Sequence, residues 1–355
     1  MVASVSLREF RSYRALELEL EAGLVLVTGG NGVGKTNLLE SLHVGTQAFS
    51  PRTRSESDLV RFGARAARVS VSGSEAATPV ETEVVVSRGE GKQVRLNGAS
   101  LRRADELRSR VTTLVFVPDR LAVVKGGPMV RRAYFDRALG RLYPARASLP
   151  GDYTRTLAQR NEALRRARAG ISNEAAIEPW TQRVAALGSE LDAARAELAA
   201  LLAAPFRDRA STLGLAHAAL RYDERPLSVE ALAARLERDI ARGVTTLGPH
   251  LRDVELTAGG RDLRCFGSQG EQRTAVLALV LAEADLVTAR RSTSPLLLLD
   301  DVLSELDLDR RSALLAALPS GGQTVVTATT EAALPPGAAP PDLLVRVTPG
   351  RAERA

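Results

Sequence analysis

Gly29-Gly30-Asn31-Gly32-Val33-Gly34-Lys35-Thr36 follows the apolar run Leu24-Val25-Leu26-Val27-Thr28 and precedes Leu38, Leu39, Leu42 and Val44 at near-helical spacing. The octapeptide fits the phosphate-loop pattern G-x-x-x-x-G-K-[ST] without a mismatch. Its glycines let backbone N–H groups converge on a phosphate where a Cβ would obstruct the loop. The helix that follows adds the partial positive charge of its N-terminus. In this pattern Lys35 reaches the β- and γ-phosphates and the Thr36 hydroxyl ligates Mg2+. The chain holds only three lysines, Lys35, Lys92 and Lys125, against a background of arginine. A lysine at the motif position is therefore not a by-product of composition. Strand, glycine turn and helix are predicted here, with ATP and Mg2+ as ligands.

Two later stretches complete such a site. Leu296-Leu297-Leu298-Leu299 leads into Asp300-Asp301, an apolar strand that ends on acids. Asp300 is the candidate Mg2+ ligand, and Asp301 the candidate group that orients or deprotonates water. Any buried strand can end on acids, so the pair takes its meaning from the phosphate loop upstream. Phe266-Gly267-Ser268-Gln269-Gly270-Glu271-Gln272 resembles the ABC-type signature, Ser-x-Gly-x-Gln opening a long helix. A hydroxyl, a flexible glycine and a helix N-terminus make a second anion site. A capping box of Ser268 and Glu271 accounts for those two residues as well, but it calls for neither Gly270 nor Gln272. Ser304-Glu305-Leu306-Asp307 likewise has two readings. One is the D-loop of an ABC dimer interface; the other is an N-cap before a helix over Arg310–Leu318.

Working outward, Val5–Phe10 and Ala15–Leu20 read as short antiparallel strands, and Arg68–Asn97 as a small antiparallel sheet beside the nucleotide site. Leu114–Val117, closed by Pro118-Asp119, Gln323–Thr327 and Leu343–Val347 read as further strands. Acids and glycines at strand ends are where an open α/β sheet binds ligands. From Asp152 to Ile240 the chain turns rich in Ala, Leu, Arg and Glu and reads as helix, too short for long heptad arms. The expected fold class is α/β: an ABC/SMC-like ATPase head with a mixed sheet and phosphate loop, plus a helical second lobe without long coiled coil. The expected division is 1–118 with 242–355 for the ATPase lobe and 119–241 for the helical lobe.

A formal charge of +6 is compatible with a polyanionic partner and equally with a solubility device. Arg155, Arg160, Arg165, Arg166 and Arg168 are concentrated in the helical lobe and could meet phosphates, although Arg-rich helices are usually solvated faces. Aromatic residues make up 4% of the chain, which argues against base stacking and favours duplex over single strands. A single cysteine, Cys265, excludes an intrachain disulfide framework, and three dispersed histidines speak against a zinc centre. His250 is expected to hydrogen-bond structurally. No apolar run approaches the ~20 residues of a membrane span, and a cytoplasmic protein with no membrane partner is the plain expectation.

The ordered motifs resemble the RecF family of SMC/ABC-type ATPases. The resemblance is carried by Leu7-Arg8-Glu9-Phe10-Arg11-Ser12-Tyr13, Gly29 to Asn37 with Leu38, Leu39 and Glu40, and Arg52-Thr53. It continues through Gly126-Gly127-Pro128, Arg131-Arg132 with Asp136, Gly248-Pro249-His250, Ser268 to Gln272, and Asp300 to Asp307. It implies that Gly29 to Asn37, Arg11 and Arg52 hold ATP, with Lys35 and Asp301 catalytic. It also implies that Ser268, Gly270 and Gln272 act in trans on the nucleotide of a second copy. It further implies ATP-driven homodimerisation on double-stranded or gapped DNA, weak DNA-stimulated ATPase activity, and cooperation with RecR and RecO in recombinational repair.

The alternative is the ATPase subunit of an ABC transporter. Against it, Val325-Val326-Thr327-Ala328-Thr329-Thr330 offers only threonines where transporters carry a switch histidine. A threonine is no charged γ-phosphate sensor, so hydrolysis is expected either to be slow or to rely on water-bridged contacts. Asp119 is a candidate for the Q-loop position, with a plain turn acid as the other reading.

Overall fold

The structure, a computed structural model, describes all residues except Arg54, Ala76, Ala77, Arg103, Ser109 and Ser320, and except the side chains of Asp105, Asp119 and Glu305. Its strands, in chain order, are β1 (Val2–Phe10), β2 (Tyr13–Glu19), β3 (Gly23–Thr28), β4 (Ala66–Glu75), β5 (Thr78–Ser87), β6 (Gly91–Leu96), β7 (Ala99–Ser100) and β8 (Thr113–Phe116). Then follow β9 (Ala218–Tyr222), β10 (Val254–Ala258), β11 (Arg261–Asp262), β12 (Leu296–Leu299), β13 (Gln323–Ala328), β14 (Leu343–Thr348) and β15 (Arg351–Arg354). Contacts divide the chain into two compact units. The first comprises Met1–Leu121, Asp208–Ala216 and Gln269–Ala355; the second comprises Ala122–Arg207 and His217–Ser268.

The first unit holds two sheets. One is antiparallel, in the order β2-β1-β4-β5-β6-β7, and the other is mixed, in the order β15-β14-β3-β13-β12-β8. In the mixed sheet β14, β3, β13, β12 and β8 run parallel, and β15 closes the edge antiparallel. Parallel strands covered on both faces read as unbroken apolar runs, and all four residues of β12 are buried. In the antiparallel sheet, alternate residues on one face, such as Val5 and Leu7 of β1 and Val69 and Val71 of β4, join the core, as half-buried strands require. The 13-residue helix Lys35–Gln47 packs by Leu38, Leu39, Leu42 and Val44 into the same core. This is the expected ABC/SMC-type head.

The second unit is built on the helices Pro128–Leu142 and Leu149–Arg168 and on the long helix Glu178–Thr212 as far as Arg207. It is not wholly helical. A three-stranded antiparallel sheet, β11-β10-β9, lies within it, and an Ala-rich strand such as Ala218-Ala219-Leu220-Arg221-Tyr222 carries little strand signal against its helical surroundings. By contacts the boundary expected at 241/242 falls elsewhere. Residues 242–268 group with the second unit because β10 pairs with β9 and Asp253 pairs with Arg131. Residues 208–216 group with the first, where Arg209 grips Asp285 with two hydrogen bonds of 2.7 and 2.6 Å.

Several charged residues of the second unit are internal. Arg160, offered above as a surface arginine, is fully buried and donates to Asp239 (2.8 Å), Thr245 (2.8 Å) and Thr181 (3.1 Å). Burial without counter-charge would cost several kcal/mol, and Asp239 supplies it. Arg155 and Arg165 pair with Asp152 and Glu162 on their own helix, and Arg166 and Arg168 are exposed. Arg131 pairs with Asp253 and donates to the carbonyls of Val124 (2.9 Å) and Gly126 (3.0 Å). Arg195 pairs with Asp136 at 2.8 and 2.9 Å. His250 takes a hydrogen bond from the Tyr153 hydroxyl at Nδ1 (2.7 Å) and donates from Nε2 to Thr245 O (3.2 Å). Among the described residues no helix is long and apolar enough to cross a membrane.

Candidate nucleotide site

Sheet register brings the separated motifs together. Thr28, the last residue of β3, stands beside Ala328 of β13, and Val326 of β13 stands beside Leu299 of β12. The phosphate loop after β3, the acids after β12 and the threonines ending β13 therefore share the carboxyl edge of the parallel strands, where such sheets bind ligands.

The loop itself needs its glycines. Gly29 has φ +154°, and a Cβ there would stand 2.4 Å from Val347 O; Gly34 has φ +120°, and a Cβ there would press on the Ser12 and Tyr13 hydroxyls at 3.0 Å. The buried Tyr13 hydroxyl donates to Gly34 O (3.0 Å), and burial raises its pKa, so it stays a neutral donor. Lys35 Nζ donates to Gly29 O (2.7 Å) and Gly30 O (2.8 Å). No carboxylate pairs with it among the described residues. Its ammonium is thus held over the loop by carbonyls alone, which a phosphate oxygen can replace.

Beyond Lys35, two residues converge on one oxygen. Thr36 Oγ1 donates to Asp300 Oδ1 at 3.0 Å, and Thr327 Oγ1 donates to the same oxygen at 2.7 Å. Burial raises the pKa of Asp300; the two hydroxyls and Arg52 act against that rise, and Asp301 adds to it. Asp301 sits in the left-handed region at φ +50°, and its N–H donates to Thr327 Oγ1 (2.8 Å). Its Oδ1 is buried and meets no hydrogen-bond partner among the described residues. A hydroxyl and a carboxylate 3.0 Å apart, beside an unpartnered carboxylate oxygen, fit a Mg2+ ion that takes its other ligands from phosphate and water. Such an ion needs no cage of protein acids, and among the described residues there is no cluster of three metal-ligating side chains.

Arg11, Asn37 and Arg52 line a cleft together with Ser12 and Phe62. The two arginines are organised by Glu40, whose side chain is wholly buried. Glu40 accepts two hydrogen bonds from Arg11 (2.9 and 2.8 Å), one from Arg52 (3.2 Å) and one from Ser50 (2.5 Å). Arg52 also donates to Asn37 Oδ1 (3.2 Å), and Asn37 donates to Ser12 Oγ (2.9 Å). In the sequence Glu40 stood out as part of the family resemblance and as an acid inside an apolar helix, but neither signal gave it this organising role.

The signature lies at a helix start. Ser268, Gln269 and Gly270 are exposed at the N-terminus of the 23-residue helix Gln269–Arg291. Gln272, by contrast, is 5% exposed, so in this conformation it does not present its side chain to a second chain. Asp307 caps the helix Leu308–Ala316 by accepting from Arg310 N–H (2.9 Å), and Ser304 donates to Asp301 O (3.0 Å). The N-cap reading of the tetrapeptide therefore holds for Asp307. The side chain of Asp119 lies outside the described residues.

The RecF/RecN/SMC N-terminal domain model matches residues 1–350. The DNA replication and repair protein RecF of Heliobacterium modesticaldum is 36% identical over 342 residues, covering 93% of this chain and 92% of its own. The chain belongs to the RecF family. RecF of Myxococcus xanthus is 35% identical over 360 residues, covering 96% of this chain and 93% of its own. A solved structure of the recombination mediator protein RecF with ATP superposes with TM-score 0.88 at 26% identity, covering 100% of this chain and 97% of that one. An Smc head from Pyrococcus furiosus, at 16% identity and TM-score 0.58, shares the fold.

Proposed function

We propose that this chain is an ATP-dependent DNA-binding switch of RecF type, acting in recombinational repair of gapped or stalled replication DNA. The relative solved with ATP is described as a mediator in the RecFOR pathway, which supports RecR and RecO as partners. Lys35 and the loop amides hold the phosphates, Arg11, Arg52 and Asn37 flank them, and Thr36 and Asp300 hold Mg2+. Bound there, the ion neutralises charge on the β- and γ-phosphates. Asp301 orients the attacking water. Weak, DNA-stimulated hydrolysis then resets the switch.

The observation that carries the reading is the exposure of Ser268 to Gly270 at a helix N-terminus. That is an anion site directed at solvent. In a dimer it meets the γ-phosphate held by the Gly29–Thr36 loop of a second copy, so two ATP molecules join two chains. Arg166 and Arg168, exposed on the second unit, are candidates for salt-sensitive contact with duplex phosphates.

Light scattering with ATP, ADP and no nucleotide tests this. ATP alone should give the dimer, and Ser268→Arg should bind ATP yet remain monomeric. Normal ATP-driven dimerisation by Ser268→Arg would overturn the arrangement.

A further inference from the structure

Thr327 holds a position that neither the phosphate loop nor the acid pair explains. It is the fifth residue of β13, is 0% exposed, and stands level with Val27 of β3. A hydroxyl has one proton to donate and two lone pairs to accept with. Here the proton goes to Asp300 Oδ1 (2.7 Å), and a lone pair takes the Asp301 N–H (2.8 Å). The two acids are consecutive, and the second adopts φ +50°, a conformation disfavoured for residues with a Cβ and kept only where neighbours impose it. The Thr327 hydroxyl hydrogen-bonds on both sides of that turn.

From this geometry we infer that Thr327 is a positioning residue for ATP hydrolysis. Its single hydroxyl fixes the rotamer of Asp300 on the Mg2+ side and, through the Asp301 N–H, the left-handed turn that sets the direction of the Asp301 carboxylate. The inference rests on the metal and base roles given above to Asp300 and Asp301. It assigns Thr327 a task other than sensing the γ-phosphate: the hydroxyl is committed to the acids and buried, so it has no free donor for a nucleotide. A strand residue between the loop strand and the acid strand is well placed for this, because β13 is hydrogen-bonded to both β3 and β12.

Thr327→Val keeps the shape and β-propensity of the side chain and removes both hydrogen bonds; Thr327→Ser keeps both. Binding of ATPγS is measured by calorimetry in EDTA and in Mg2+, with single-turnover ATP hydrolysis alongside. All three proteins should bind equally in EDTA. The strengthening brought by Mg2+ should be about tenfold smaller in Thr327→Val, the size expected on losing a charge-assisted hydrogen bond to the metal-side acid. Hydrolysis should fall further still, and Thr327→Ser should restore both to within about twofold. If Thr327→Val does not fold, Thr327→Cys, a weak donor and acceptor, carries the test with the same signs.

Equal losses in EDTA and in Mg2+ would show a merely structural role and overturn the inference. So would a Thr327→Ser protein no better than Thr327→Val, or a Thr327→Val protein matching wild type. If the wild type itself gained nothing from Mg2+, the reading of Asp300 would fail instead, which keeps the two failures apart.

Discussion

Arg131 in the second unit and Lys35 in the first are both buried cations set against backbone carbonyls, 4% and 7% exposed. Arg131 also has a carboxylate, Asp253, fixed beside it at 2.8 Å. Lys35 has the carbonyls of Gly29 and Gly30 and, among the described residues, no acid. The contrast extends to the anions. Asp136, Asp239 and Asp253 are each matched to an arginine of their own unit, whereas Asp301 keeps a buried oxygen without a partner among the described residues. Arg131 and Asp136 on one side and Lys35 and Asp301 on the other all carry the family resemblance, yet they do different physical work. A buried charge whose counter-charge is built in holds the fold; a buried charge left short of one is suited to a ligand. Arg160 Nη2 is an exception, a partnerless nitrogen on an otherwise paired guanidinium.

The largest test of that contrast removes one partner from each side. Asp253→Ala strands Arg131 and should cost about 3–5 kcal/mol of unfolding free energy, read as a fall in denaturant midpoint. Lys35→Met should cost no more than about 1 kcal/mol, the net worth of ordinary hydrogen bonds, while abolishing ATP binding in a titration. Comparable stability losses in the two proteins would break the distinction. Glu40→Gln belongs between them, because Glu40 is buried like a structural acid but orders Arg11 and Arg52 beside the loop. It should cost about 1–3 kcal/mol and also weaken ATP binding several-fold. A loss of stability with unchanged affinity would place Glu40 with the structural acids.

A smaller effect of opposite sign is expected at Asp300. Burial raises its pKa, so the folded chain favours the protonated form. The ionised carboxylate therefore destabilises the fold once pH exceeds its unfolded value, and the full penalty is present above the folded pKa. In metal-free buffer near neutral pH, Asp300→Asn should stabilise the protein slightly, read as a rise in denaturant midpoint, since Asn still accepts from Thr36 and Thr327. The same variant should lose the Mg2+-dependent part of nucleotide affinity. Destabilisation of the size expected for Asp253→Ala would put Asp300 on the structural side.

The sequence was most informative where covalent pattern and local geometry coincide. Gly29 to Thr36 is contiguous, and Leu296 to Asp301 shows both its apolar strand and its acids in one stretch, so strand ends and site residues could be placed from residue types alone. Ser268 was legible as a helix start for the same reason. Glu40 and Thr327 were not, because their roles depend on partners far along the chain: Glu40 meets Arg11 and Arg52, and Thr327 meets Asp300 only once β13 lies beside β12. The three-stranded sheet of the second unit escaped for a related reason. Its strands are short, and Ala218 to Tyr222 pairs with Val254 to Ala258 across a long separation, so pairing partners rather than propensity decide it. Arg160 shows the limit in the other direction, since composition alone cannot tell a solvated arginine from one enclosed with an aspartate.

The smallest expected effect uses the second unit's histidine as a proton probe. Burial lowers the pKa of His250, with Arg132 and Arg195 acting in the same direction and the Thr245 carbonyl and Asp239 opposing. In the fold the ring is therefore neutral, accepting from Tyr153 at Nδ1 and donating from Nε2. A histidine whose folded pKa lies below its unfolded value of 6.5 stabilises the fold above that pH. Its contribution shrinks as pH falls, because the unfolded chain takes up the proton first. Between about pH 7.5 and 5.5 the unfolding free energy should therefore fall through this group. His250→Gln should flatten that part of the profile and Lys35→Met should leave it unchanged. If the slope survives in His250→Gln, another group carries it, and burial of this ring would not be the source of the pH dependence.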